Sequence, residues 1–172
     1  MRISIIIIFA SLFCCLPTQA QTFSVEIKSD SLSYLVLTTD STADRWQLPY
    51  PVYQFQTGDV DGDGSIDAMV GVVKKTRFHR ELGRRLFIFK NYRGKVRPLW
   101  MGSKLGGELV DFRFLEGGLI RALETGTNHL YAITDYRWEE FGMVFDHFIE
   151  KNIDQKNIAY EKFHSDSTDG SR

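Results

Sequence analysis

Cysteine is almost absent from this 172-residue chain, which contains only Cys14 and Cys15. Both lie in a segment that we expect to be removed, so the mature protein would have no thiol. That excludes a disulfide framework, a thiolate zinc site and a cysteine nucleophile. The mature protein is therefore expected to be stabilised by a packed core or by a bound ion.

An excess of charge of one sign is also missing, since 21 Lys and Arg are balanced by 22 Asp and Glu. The net charge of −1 gives no general attraction to nucleic acid or to an anionic membrane, so we do not expect nucleic acid as a partner. The length fits one ordinary domain, and 43% apolar residues are enough for a core. We therefore do not expect a multidomain enzyme.

No apolar run is long enough to cross a membrane. Arg2 is followed by a largely apolar stretch, residues 3–16, which would form about 21 Å of helix against a hydrocarbon core of about 30 Å. Polar residues and then the small Ala20 follow. This pattern predicts a signal peptide, residues 1–20, and a secreted or periplasmic protein with no transmembrane span in the mature chain.

A lipid anchor at Cys14 or Cys15 is the weaker alternative for the N-terminus. The residue before a lipidated cysteine is normally small. Here Phe13 precedes Cys14, and Cys14 precedes Cys15. Cleavage near Ala20 is therefore the favoured interpretation.

Helical periodicity is scarce, and short apolar runs predict β-strands almost throughout the mature chain. These runs recur every eight to twelve residues between turn-forming residues, as in antiparallel sandwiches and propellers. The predicted strands are residues 23–28, 33–39, 52–57, 66–73, 85–91, 96–102, 109–115, 119–124, 130–136 and 141–149. A short terminal helix is predicted at residues 153–163.

An internal repeat indicates how the strands are grouped, because residues 86–93 match residues 130–137 at an offset of 44. A period of roughly 40 to 50 residues with four strands is typical of propeller blades. We predict an all-β, antiparallel fold with two propeller-blade-like four-stranded units, which cannot close a ring, or a small β-sandwich. The predicted domain covers residues 21–150: an N-terminal hairpin at 22–39 and units at about 50–102 and 107–150, with a polar tail at 151–172.

The sharpest local motif is GDVDGDGSID at residues 58–67. Carboxylates at relative positions 1, 3, 5 and 9, with Gly at position 6, match the oxygen-ligand loop for calcium (Ca2+). Four carboxylates so close together would repel one another without a cation. The candidate ligands are the side chains of Asp59, Asp61, Asp63 and Asp67 and the backbone carbonyl of Ser65.

Two features distinguish this loop from a helix-loop-helix calcium site: strands are predicted on both sides, and Val70 occupies position 12, where a Glu is required. Residues 58–71, GDVDGDGSIDAMVG, resemble the FG-GAP or integrin-α-type repeat. The resemblance implies the same calcium ligands on a β-blade. Such a loop surrounds its ion with protein oxygens, so we expect structural rather than catalytic calcium. A solvated acidic turn is the alternative.

Basic residues are concentrated in residues 74–97, which hold ten Lys or Arg and one acid, Glu81. The first part lies in a predicted connection between strands, so its side chains are expected to project. The candidate partner-binding residues are Lys74, Lys75, Arg77, Phe78, Arg80, Arg84 and Arg85. They suit an anionic glycan or glycolipid, or a protein. The alternative is a solvated hairpin that offsets the acidic turns.

No arrangement typical of a catalytic site is recognisable. The histidines are scattered, Ser103 is not in a nucleophile elbow, and the adjacent Glu139 and Glu140 point to opposite sides of a strand. We predict an exported, non-catalytic, calcium-binding β-module that binds a partner protein or an anionic surface polymer. The alternatives are a structural accessory subunit that pairs through exposed sheet edges, for which an oligomer is expected, and a glycan-active hydrolase.

Overall fold

The computed structural model describes residues 21–77, 80–102 and 104–165. The predicted signal peptide, with Cys14 and Cys15, lies outside the described residues. The strands are β1 (Gln21–Ser29), β2 (Leu32–Thr39), β3 (Ala43–Leu48), β4 (Val52–Gly58), β5 (Asp67–Lys74), β6 (Gly83–Tyr92), β7 (Lys95–Trp100), β8 (Glu108–Leu115), β9 (Leu119–Thr125), β10 (Tyr131–Glu139) and β11 (Gly142–Ile153). One helix, α1 (Lys156–His164), follows them.

The strands form three antiparallel sheets in which neighbours in the sheet are also neighbours in the chain. The N-terminal sheet contains β1–β3, the central sheet β4–β7 and the C-terminal sheet β8–β11. The prediction of an all-β antiparallel fold with four-stranded units and a short C-terminal helix is therefore confirmed. No helix in the described part of the chain has both the length and the apolar character needed to cross a membrane.

The central sheet is covered on both faces. On β5, Ala68, Val70 and Val72 belong to the apolar cluster shared with the N-terminal sheet, whereas Met69 belongs to the cluster shared with the C-terminal sheet. Successive side chains of a strand point to opposite faces, so a continuous apolar run is typical of a strand buried on both sides. The three sheets are consequently stacked in layers.

Helix α1 covers the outer face of the C-terminal sheet. Ala159 and Phe163, one helical turn apart, are buried in a cluster with Leu123 and Ile133. The helix lies in the segment predicted as a polar tail, and β11 continues to Ile153, beyond the predicted boundary at residue 150. Two buried residues are enough to hold this short helix on the sheet. The rest of the segment can therefore be polar, and its composition gives little sign of the packing.

Strand β3 is absent from the strands that the sequence predicts. It pairs with β2 and contributes Trp46 and Leu48 to the cluster shared with the central sheet. Two residues before Trp46, Asp44 accepts a hydrogen bond from the Val96 N–H of β7 at 2.8 Å. Asp44, Trp46 and Leu48 alternate along β3, and a carboxylate at the first of these positions breaks the apolar pattern by which a strand is recognised.

Candidate metal centre

The predicted calcium loop connects β4 to β5. Within it, Gly62 and Gly64 have φ angles of +73° and +82°, a backbone region that L-residues with side chains rarely adopt. These two glycines allow the chain to turn tightly, so that carboxylates on both sides of the turn converge. The spacing of glycine and aspartate in the sequence thus has a direct conformational cause.

Asp59 organises the turn from within. Its Oδ1 accepts hydrogen bonds from the backbone N–H groups of Gly62 at 2.8 Å and Asp63 at 3.1 Å, and its Oδ2 accepts one from Gly64 at 2.9 Å. The Ser65 N–H donates to Asp63 Oδ1 at 2.8 Å. Aspartate side chains commonly stabilise turns in this way. The loop is therefore held in shape by its own hydrogen bonds.

Asp67, the first residue of β5, has no exposed surface. Its Oδ2 accepts a hydrogen bond from the Val60 N–H at 3.0 Å, whereas its buried Oδ1 has no hydrogen-bond partner among the described residues. Burial raises the pKa of Asp67 to about 7, and the nearby Asp61 and Asp63 carboxylates add to the increase. A buried carboxylate oxygen without a partner is costly, and a proton or a cation beside it would offset that cost.

Three of the predicted ligands converge. Asp59, Asp61 and Asp67 each offer one carboxylate oxygen, and these three oxygens lie within 4.8 Å of one another. Calcium binds oxygen at about 2.3–2.6 Å, so two oxygens on the same ion lie at most about 5 Å apart. The three aspartates therefore fit a single calcium ion. Asp63, also predicted as a ligand, is not part of this convergent set, and the Ser65 carbonyl stays a predicted ligand.

Lys90 of β6 brings a positive charge to the same loop. Its Nζ donates hydrogen bonds to Asp61 Oδ2 and, at 2.8 Å, to Asp63 Oδ2. Partial burial opposes ionisation of the amine, but the two carboxylates outweigh it and raise the pKa of Lys90. The hydrogen bond from Lys90 in turn lowers the pKa of Asp63. One ammonium group cannot neutralise four neighbouring carboxylates.

In the sequence Lys90 belongs to the basic segment, and nothing local indicates its contact with the loop. Lys90 is 27 residues from Asp63 in the chain. Pairing of Ala68 with Phe89 in the β5–β6 hairpin places Lys90 across from Asp67. Predicting the contact of Lys90 thus requires the register of this hairpin, which no local motif specifies.

Several residues of the basic segment contact the protein itself. Arg85 is buried and donates a hydrogen bond to the Arg84 carbonyl at 2.7 Å. The Arg84 guanidinium lies 4.5 Å from the centre of the Tyr53 ring, and the Lys74 ammonium lies 3.9 Å from that of Tyr50. These three basic residues therefore have structural contacts.

Of the predicted partner-binding residues, Lys75, Arg77 and Arg80 are exposed. They lie in the connection between β5 and β6, as expected from the sequence. Phe78, also predicted to bind a partner, lies outside the described residues. The surface that can meet a polyanion is consequently smaller than the sequence predicts.

Comparison of the chain with protein-family models, with curated proteins and with solved structures finds no match. The resemblance of residues 58–71 to the FG-GAP repeat therefore depends on the loop residues alone. What the loop binds has to follow from its own oxygens, charges and burial.

Proposed function

We propose that the chain is an exported, non-catalytic β-module that binds calcium between β4 and β5 and binds a partner protein or an anionic surface polymer through an exposed surface. The observation that supports the calcium site is the buried, unpartnered Oδ1 of Asp67 beside Asp59 and Asp61. An all-oxygen site of carboxylates suits calcium, which accepts irregular geometry, better than magnesium, which requires a near-ideal octahedron. Export is supported by the N-terminal sequence.

The role proposed for the ion is structural. Asp59 accepts hydrogen bonds from three backbone N–H groups, and Asp61 accepts one from Lys90, so both carboxylates help to shape the loop. A catalytic ion would also need an open coordination position next to an acid, a base or a nucleophile. These contacts weigh against the alternative of a hydrolase that uses the acidic loop.

Calorimetric titration of the purified protein is expected to detect one calcium site. With a Kd near 10⁻⁴ M, millimolar calcium would stabilise the fold by about 1–2 kcal/mol, which raises the Tm by roughly 2–8 °C. Asp61→Ala should abolish both the binding heat and the calcium-dependent rise in Tm. The exposed Asp40→Ala, outside the loop, is the matched control and should retain both. A wild-type protein without heat or shift would refute the calcium site.

Binding to a polyanion is expected to depend on the exposed part of the basic segment. The chain should be retained on a sulfated-polysaccharide resin, and the double variant Lys75→Gln/Arg80→Gln should elute at lower salt because two contacts are lost. The control Lys28→Gln/Lys104→Gln removes the same charge from other exposed positions. Equal shifts for both double variants would show that only the net charge matters.

The accessory-subunit alternative requires a sheet edge that can pair with another chain. Strand β11 forms an edge of the C-terminal sheet, but its pairing with β10 contains three register shifts. Bulges increase the twist of an edge strand and disfavour pairing with a further strand. This geometry favours a binding module over a subunit that polymerises through β11.

A further inference from the structure

A pocket of about 260 Å³ opens on the C-terminal sheet and shares no lining residue with the calcium loop. It is bounded by Gly106 and Gly107, by the turn between β9 and β10, and by residues of β10 and β11. Pockets for drug-sized ligands measure about 300–1,000 Å³. The volume therefore limits an occupant to a small molecule or to one chemical group of a larger one.

The aromatic wall of this pocket depends on the bulged geometry of β11. Phe145 lies opposite Tyr136, and Phe148 lies opposite Thr134, with a register shift between these pairs. Residues three apart face opposite sides of a regular strand, whereas the shift brings both phenylalanines to the face of Tyr136. The ring centre of Phe145 lies 5.0 Å from that of Phe148 and 6.4 Å from that of Tyr136.

These two phenylalanines are unusually accessible, at 49% for Phe145 and 48% for Phe148. Bulges often re-aim side chains next to binding sites. A strand that turns two large apolar rings towards a cavity without burying them loses hydrophobic stabilisation that a ligand would restore. The arrangement therefore indicates a binding surface.

A buried carboxylate also lines the pocket. Glu124 is 3% exposed, its Oε1 accepts a hydrogen bond from the Gly107 N–H at 2.9 Å, and its Oε2 accepts one from the Tyr136 hydroxyl at 2.9 Å. Two accepting oxygens are the pattern of an ionised carboxylate. No cation among the described residues forms an ion pair with Glu124. Buried charges are normally paired, so this carboxylate favours a positively charged occupant.

Lys151 shows that the rings of the pocket already attract a positive charge. It is an exposed residue that lines the pocket, and its Nζ lies 5.4 Å from the ring centre of Phe148. The face of an aromatic ring is electron-rich and attracts ammonium groups within about 6 Å. An incoming cation would compete with Lys151 for this face.

We propose that the pocket binds a small organic cation, namely an alkylammonium group, between the rings of Phe145 and Phe148 and the carboxylate of Glu124. The rings supply cation–π attraction and apolar contact, and the carboxylate supplies the opposite charge. Lys151 is a tethered competitor that weakens the binding. The site extends the proposed binding function but does not depend on calcium.

Choline and its neutral carbon isostere, 3,3-dimethylbutan-1-ol, are the two probes for an NMR titration of the purified protein. Choline is expected to bind in the millimolar range and to shift the signals of Phe145 and Phe148, while the isostere binds about tenfold more weakly because it lacks the charge. Phe148→Leu should weaken choline binding severalfold. Lys151→Met should strengthen it, because the competing ammonium group is removed.

Glu124→Gln tests the charge and should weaken choline binding about tenfold. Glu124 is buried, so thermal melts are needed to show that this variant folds. If it does not fold, Phe148→Leu at a half-exposed position and Lys151→Met at an exposed position still test the proposal. Equal binding of choline and its isostere, weaker binding after Lys151→Met, or no binding of choline would each overturn the proposal. The titration is repeated in chelator, where unchanged choline binding is expected even if the calcium site fails its own test.

Discussion

Replacing Asp67 with Asn is expected to raise the melting temperature in chelator and to remove most of the calcium-dependent rise. In chelator, Asp67→Asn should melt above the wild type, because it removes a buried charge whose Oδ1 has no partner and retains an oxygen for the Val60 N–H. Removing a buried polar group that lacks a partner stabilises a protein by about 1–3 kcal/mol, which raises the Tm by roughly 2–12 °C. Millimolar calcium should stabilise the wild type by about 1–2 kcal/mol and the variant much less, because the variant has lost a charged ligand, so the difference in melting temperature should narrow.

Differential scanning calorimetry of both proteins in chelator and in calcium measures these two effects. Asp44→Asn is the matched control, since Asp44 also accepts a backbone hydrogen bond but lies outside the loop. That variant should lose the same stability under both conditions. If Asp67→Asn instead melts below the wild type in chelator as well as in calcium, Asp67 is a structural hydrogen-bond acceptor and the cation requirement is refuted.

The parts of the fold that could be predicted from the sequence are those in which burial alone determines the apolar pattern. Strand β5 is readable because both of its faces are buried, which produces an unbroken apolar run. Strand β3 is not readable, since Asp44 occupies an alternate position of this strand and binds β7. Helix α1 is only weakly readable, because Ala159 and Phe163 alone are fully buried on it.

The candidate metal centre shows the same division between local and long-range information. Asp59, Asp61 and Asp67 could be predicted, because a metal loop draws its ligands from a few consecutive residues. The contact of Lys90 depends on the register of the β5–β6 hairpin. The pocket around Glu124 depends on bulges in β11, which have no signature in this sequence. Residues brought together by strand pairing were therefore missed.

Removing Lys90 is expected to produce the largest gain in calcium affinity. Calcium would compete with the Lys90 ammonium for Asp61, and the same ammonium also binds Asp63 Oδ2. A hydrogen bond to a charged group contributes about 1.5–3 kcal/mol, and each 1.4 kcal/mol changes an affinity tenfold. Lys90→Met should therefore lower the calcium Kd by about 10- to 100-fold. In chelator the variant should melt below the wild type, because the remaining carboxylates repel one another.

Lys95→Met is the matched control, since Lys95 pairs with Asp44 on another part of the same surface and should leave calcium affinity unchanged. Weaker calcium binding after Lys90→Met would contradict competition and make Lys90 a group that shapes the site. The expected gain has a functional meaning if the protein is exported, as we propose. Under the proposed function, a tethered cation that occupies the loop in the absence of calcium would stabilise the apo-protein and hold the calcium Kd near 10⁻⁴ M, below the millimolar calcium outside cells. Filling of the loop would then coincide with arrival in that compartment.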